Sequence, residues 1–219
     1  FFLKFMKKIA VLISGSGSNL EAIVDACNKK KIDGEIRCVI SNNPGAYGIE
    51  RANKHNLKSY IIDHKLFDDR SDFDKQIDKI LIEEKIELIV LAGFMRILEK
   101  KITNKYFGKM INLHPSLLPL YPGLNTHSKV IKNKDNKHGI SIHFVSPELD
   151  AGPIIAQGSI KVKKNESVED LQKRIHKIEH ILLPEVINEI CVGNIFLDGN
   201  SVKFKNNNIT NHIIYNYDE

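Results

Sequence analysis

Lys8-Ile9-Ala10-Val11-Leu12-Ile13-Ser14-Gly15-Ser16-Gly17-Ser18-Asn19-Leu20 decides the fold class. Residues 8–14 are dominated by aliphatic side chains, the pattern of a strand buried on both faces. Gly15-Ser16-Gly17-Ser18-Asn19 follows as a tight loop, and Leu20, Ile23, Val24 and Cys27 then recur at helical spacing. A strand that passes through a small-residue loop into a helix is the first half of a βαβ unit.

The same alternation continues down the chain. Residues 36–41 read as a second strand, broken by Asn43-Pro44-Gly45, and 46–53 as a short helix. Residues 59–63 form a third strand. Ser71-Asp72-Phe73-Asp74 resembles a capping box that opens a helix running to about 85. Residues 87–92 are a nearly all-apolar fourth strand, 98–107 a helix and 110–113 a fifth strand. Strands and helices alternating at this spacing predict an α/β fold with a Rossmann-like, mostly parallel sheet.

Beyond that point the pattern changes. Residues 139–145 alternate apolar and polar, 154–162 form another strand, and 167–191 form a long C-terminal helix that stops near Gly193. Pro184 is expected to kink or divide that helix. Phe196-Leu197-Asp198-Gly199-Asn200-Ser201-Val202 suggests an antiparallel hairpin. There is no linker and no repeat. The expectation is a single domain over 1–219 with its core at about 7–205, a peripheral 1–5 extension and a frayed 206–219 tail.

The net charge of +5 invites a nucleic-acid reading, but 27 of the 32 basic residues are Lys and only five are Arg. Base-reading surfaces lean on the bidentate fork of Arg, so the Lys runs read as solvated element ends and no nucleic-acid partner is expected. Cys27, Cys38 and Cys191 are odd in number and lack metal-ligand spacing, which points to reduced thiols in a cytoplasmic protein with no metal site. No apolar run reaches membrane-spanning length. The Phe1–Met6 start is too short for a signal peptide, and Met6 is a candidate initiator.

The glycine loop offers backbone N–H groups at a helix N-terminus, which suits an anion. The dinucleotide fingerprint is not met. Its third glycine would fall at Leu20, and Ser41-Asn42-Asn43 stand where a ribose-binding acid would end the second strand. There is no Walker lysine either, so a monophosphate suits the loop better than NAD or ATP. A turn with an ordinary helix cap is the plainer alternative.

Ile111-Asn112-Leu113-His114-Pro115-Ser116 places an amide and an imidazole two residues apart, on one face at the end of a parallel strand, where ligands bind in open α/β sheets. Glu148-Leu149-Asp150-Ala151-Gly152-Pro153 adds a carboxylate at a turn. Asn112, His114 and Asp150 together can polarise a carbonyl, hold its oxyanion and move a proton. His143 reads equally as structural or supporting, and His127 is a candidate lining residue. Phe94, Met95, Ile97 and Leu98 could cover a flat heterocycle, or simply pack beneath the next helix.

These motifs together resemble the phosphoribosylglycinamide formyltransferase family. They are Ile13 to Leu20, Leu91-Ala92-Gly93-Phe94-Met95-Arg96-Ile97-Leu98, Asn112-Leu113-His114-Pro115-Ser116-Leu117-Leu118-Pro119, Tyr121-Pro122-Gly123 and Glu148 to Pro153. The resemblance covers roughly residues 7–200. It implies formyl transfer from 10-formyltetrahydrofolate, as co-substrate, to the amine of glycinamide ribonucleotide in purine biosynthesis, without a metal. By position it assigns catalysis to Asn112, His114 and Asp150. It assigns the ribonucleotide to Gly17, Ser18 and Asn19 and to His176, Lys177, Ile178 and Glu179. The folate falls to Arg70, Met95, Arg96, Ile97, Leu98 and Asn112, with Ser146, Pro147, Glu148, Leu149 and Asp150. A methionyl-tRNA formyltransferase would need an RNA-binding domain after residue 206, and a formyltetrahydrofolate hydrolase a regulatory domain before residue 8. Oligomeric state stays open between monomer and homodimer.

Overall fold

The computed structural model describes residues 6–205 and 213–217. β1 (Lys7–Ile13) runs through the glycine loop into α1 (Ser18–Asn28), followed by β2 (Gly34–Ser41), α2 (Tyr47–Lys54) and β3 (Ser59–Ile61). A 3-10 turn at His64–Leu66 precedes α3 (Arg70–Glu83), β4 (Leu88–Leu91), α4 (Lys100–Lys105) and β5 (Met110–His114). Then come α5 (Thr126–Asn133), β6 (Lys137–Phe144), β7 (Ile154–Lys161) and α6 (Val168–Cys191). β8 (Ile195–Asp198), β9 (Ser201–Phe204) and β10 (Ile213–Asn216) close the described chain.

Eight of the described strands form one sheet in the order β10-β7-β6-β5-β4-β1-β2-β3, and β8 and β9 form the expected hairpin. β1 pairs in parallel with both β2 and β4. The chain winds outward from β1 to β3 and then returns to the other side of β1. That reversal opens a crevice at the carboxyl ends of β1 and β4, the place where such sheets bind ligands. β6 runs antiparallel to β5 and β7, so the parallel half of the sheet ends at β5.

The period of two along β1 divides the core. Ile9, Val11 and Ile13 pack with α1 and α6 on one face, while Ala10 and Leu12 pack with Phe73, Ile77 and Leu81 of α3 on the other. Every residue from Ile9 to Ile13 is fully buried, which is why this strand shows no polar alternation.

Several local expectations are corrected. Asp69, not Ser71, caps α3, accepting the Ser71 N–H at 2.9 Å. Asp74, which would complete the capping box, instead accepts the Glu99 N–H at 2.7 Å and ties α3 to the start of α4. The α4 helix is shorter than predicted, because Leu98 is held in the preceding loop. Pro184 does not divide α6. It removes one backbone donor, but buried Leu182, Leu183, Val186 and Ile187 on either side anchor the helix to the sheet. Ile213–Asn216 is no frayed tail: it adds a parallel edge strand to β7. Residues 1–5, 206–212 and 218–219 of the predicted periphery lie outside the described residues.

Candidate active site

A cleft of about 650 Å³ lies over the carboxyl ends of β1, β4 and β5. Its lining brings together all the candidate residues of the glycine loop, the 95–98 segment, the 146–150 turn and the β5 end, with His176 and Glu179 from α6. Lys177 is exposed, Ile178 is buried in the core and Arg70 is exposed on the first turn of α3; none of the three lines the cleft.

At one end, Gly17 has φ +70° and precedes α1 without a side-chain cap, so the first-turn N–H groups remain open to an anion. A Cβ at Gly17 would lie 2.5 Å from the Gly48 Cα, so α2 packs directly against the loop. Gly48 N–H bonds to the Gly15 carbonyl at 2.9 Å, and Arg51 Nε to the Ser16 carbonyl at 2.9 Å. Asn43 Nδ2 donates to the Ser14 carbonyl at 3.1 Å, a structural use for the β2 end that lacks a ribose acid.

Glu179 lies beside this loop and accepts from Asn19 Nδ2 at 2.9 Å. It is only 5% exposed, and burial pushes its carboxyl up to about 7, opposed by the Asn19 hydrogen bond. Asn19 Oδ1 and Thr126 Oγ1 are buried here with no hydrogen-bond partner among the described residues. Such atoms are costly in a dry site and are suited to a hydroxylated ligand. Gln172, His176 and Glu179 lie at spacings of four and three on α6, and all three reach the cleft. That periodicity could have identified Gln172, which sequence reasoning missed. His127 also lines the cleft, with Nδ1 2.8 Å from Nε2 of buried His138. Burial lowers His127 to about 4 and His138 to about 3.

The other end is apolar and open. Met95, Ile97 and Leu149 are 70%, 50% and 53% exposed, an unusual rim of large hydrophobic side chains around one opening. The rim is held in place by Ser14, whose hydroxyl accepts the Met95 N–H at 2.7 Å and donates to Asn42 Oδ1 at 2.5 Å. Arg96 stacks its guanidinium 5.1 Å from the Phe73 ring centroid.

Between the two ends sit Asn112, His114 and Asp150. His143 Nδ1 bonds to the Phe144 carbonyl at 2.9 Å, so it carries a hydrogen. Burial holds His143 neutral, leaving Nε2 as an acceptor for Asn112 Nδ2 at 3.2 Å. That bond fixes the orientation of the Asn112 amide and settles His143 as its support. A second Asn112 N–H points at Asp150 Oδ1 over a long 3.4 Å. His114 Nε2 faces the Tyr121 carbonyl at 2.9 Å and so carries a hydrogen at that nitrogen, while Nδ1 lies 3.5 Å from Asp150 Oδ2. Asp150 Oδ2 also accepts the Gly123 N–H at 2.8 Å. Asp150 reaches this point from a tight turn: a Cβ at Gly152 would lie 1.8 Å from the Phe144 carbonyl oxygen. The roles of Tyr121 and Gly123 are carried by backbone atoms, which no residue type announces. Among the described residues no three His, Cys, Asp or Glu side chains are grouped to hold a metal ion. No described helix is long and apolar enough to cross a membrane.

Comparison with known proteins places the chain in a family. The formyl transferase family model matches residues 7–187. The phosphoribosylglycinamide formyltransferase of Escherichia coli is 42% identical over 193 residues, 88% of this chain and 91% of the relative. The human trifunctional purine biosynthetic protein adenosine-3 is 38% identical over 199 residues, 91% of this chain but 20% of that longer protein. The solved phosphoribosylglycinamide formyltransferase of Coxiella burnetii superposes with a TM-score of 0.90 at 41% identity, covering 96% of this chain and 100% of its own. With the family model, the full-length relatives and the matching fold in accord, the chain belongs to the formyl transferase family, among its phosphoribosylglycinamide formyltransferases.

Proposed function

We propose that this chain transfers the formyl group of 10-formyltetrahydrofolate to the amine of glycinamide ribonucleotide, a step of de novo purine synthesis. One observation carries the reading: an anion-accepting loop and an apolar rim open onto the same Asn112, His114 and Asp150. In this reading the phosphate sits on the N–H groups of Gly17, Ser18 and Asn19, and Glu179 accepts from the ribose hydroxyls. The pterin lies among Met95, Arg96, Ile97 and Leu98 and the Ser146–Asp150 turn, with Arg70 toward the folate tail. His176, Lys177 and Ile178 set the α6 wall, by lining, solvent face and core packing respectively.

The neutral amine attacks the formyl carbon, forming the N–C bond and opening the carbonyl to an oxyanion. Asn112 Nδ2 gives up its long 3.4 Å contact with Asp150 to donate that hydrogen to the oxyanion, while His143 keeps the amide oriented, and the Nδ1 edge of protonated His114 supplies the second donor. The 3.5 Å gap to Asp150 is too long for a strong hydrogen bond, so an oxyanion seated beside the ring can share the hydrogen that Nδ1 presents. Asp150 balances the imidazolium and, through a solvent molecule, passes the amine proton to N10 of the folate. The C–N10 bond then breaks, the carbonyl re-forms, and tetrahydrofolate and the formylated ribonucleotide leave. Purified protein should consume 10-formyltetrahydrofolate only when glycinamide ribonucleotide is present. Consumption at the same rate with water as sole acceptor would make it a hydrolase and sink the proposal.

A further inference from the structure

Tyr121 takes no part in the chemistry above, yet its groups are fully committed. Its carbonyl receives the His114 Nε2–H and, more weakly, the Ser116 hydroxyl at 3.2 Å, its phenol donates to Asp135 Oδ2 at 2.5 Å, and the phenol oxygen accepts from Asn133 Nδ2 at 2.7 Å. Its φ of +54° lies in the left-handed region, which a side chain bearing a Cβ adopts only under constraint. Two residues later, the Gly123 N–H holds Asp150. One three-residue turn therefore presents an acceptor to the histidine and a donor to the aspartate.

The partners of the phenol are themselves rigid. Lys134, with φ +57°, closes α5, donating to the Ile131 carbonyl at 3.1 Å while Asp135 N–H donates to the Val130 carbonyl at 3.1 Å. This is the Schellman closure, and it fixes Asp135 one residue beyond the left-handed turn. Val130 is buried in the core, so the clamp is referred to the main body of the domain. The hydrogen bond to Asp135 shifts the phenol pKa upward, which keeps it a donor.

We propose that the Tyr121 phenol, clamped by Asp135 and Asn133, is a positioning device that sets the 121–123 turn so that its backbone orients His114 and Asp150 together. The inference rests on the reading of His114 and Asp150 as the reacting pair. With the clamp released, the Ser116 contact at 3.2 Å alone steadies the carbonyl, the turn shifts from its left-handed φ, and the imidazole loses the alignment that aims Nδ1 into the cleft.

Steady-state formyl transfer, pH–rate profiles and thermal melts on the full chain test this. Tyr121→Phe keeps the ring and should lower kcat roughly tenfold or more by misplacing the reacting groups. KM for both substrates should stay within about twofold, and the pH–rate profile should move. Asp135→Asn retains an acceptor for the phenol and should stay near wild type, whereas Asp135→Ala should match Tyr121→Phe. The double variant should be no worse than either single one, because both remove one interaction. Wild-type kcat and an unmoved pH profile in Tyr121→Phe would overturn the proposal, with or without a lower Tm, as would losses that multiply in the double variant. Should Tyr121→Phe melt below assay temperature, Asp135→Ala decides by the same criteria. His114→Ala run in parallel separates the two levels. If it is inactive while Tyr121→Phe is normal, positioning alone fails; if it is also active, the reacting pair was misassigned.

Discussion

At the glycine-loop end of the cleft, the groups proposed to bind the phosphate come from consecutive residues, Gly17, Ser18 and Asn19, on one βα unit. At the proposed catalytic corner, the parts come from four segments: β5, the 121–123 turn, β6 and the 148–153 turn. The first region depends on local backbone shape and the second on tertiary alignment. Damage to the first should therefore appear mainly in ribonucleotide binding and stability, and damage to the second in kcat.

The sharpest break would come at the corner. His114→Ala should lower kcat about a hundredfold or more, on the order of 3 kcal/mol in the barrier, with little change in KM. Near-normal turnover in a formyl-transfer assay would show that the corner is not where the chemistry happens. Asp150→Asn should come next, with a large loss of kcat and an altered pH–rate profile. A profile superimposable on wild type would remove Asp150 from proton transfer.

At the loop end, Gly17→Ala puts a Cβ at φ +70° and 2.5 Å from the Gly48 Cα. Strain and overpacking together should cost about 2–4 kcal/mol by urea unfolding. Ribonucleotide KM should rise while kcat at saturation changes little. A fall in kcat at unchanged KM would erase the contrast between the two regions.

The smallest effect on turnover concerns Glu179. Its folded carboxyl titrates near 7, above the ordinary 4.5, so the folded state binds the extra proton between those values. Its contribution is therefore most favourable below about pH 4.5 and is lost as pH rises through 7, on the order of 3 kcal/mol. Glu179→Gln keeps an acceptor for Asn19 without the charge. Relative to wild type, the variant should gain stability between pH 5 and pH 8 while binding the ribonucleotide more weakly. A pH-independent difference in Tm would mean that Glu179 ionises normally.

The legibility of the site follows the same division. The β1–loop–α1 unit was readable because strand, glycine turn and helix are each set by neighbours in sequence. Asn112 and His114 were readable because a period of two puts both on one strand face. Gln172 was hidden in a helix whose polar positions also serve solvent. His143 stayed ambiguous because its role depends on which of its nitrogens the Phe144 carbonyl engages. The Ser71 capping box misled because Asp74 was drawn into a long-range bond with Glu99.

By itself the sequence determined the α/β class and the family resemblance, and it pointed to the glycine loop and to the three polar residues proposed for the corner, since all of these live in short-range pattern and residue identity. Tertiary structure alone decided the rest. It placed Tyr121 and Gly123 as backbone partners of His114 and Asp150, buried Glu179 beside Asn19, kept α6 whole across Pro184 and paired residues 213–216 with β7. Most of these rest on contacts between segments far apart in the chain, such as Glu179 with Asn19, Asp150 with Gly123 and β10 with β7. Their energy depends on burial and alignment, which residue order does not encode locally.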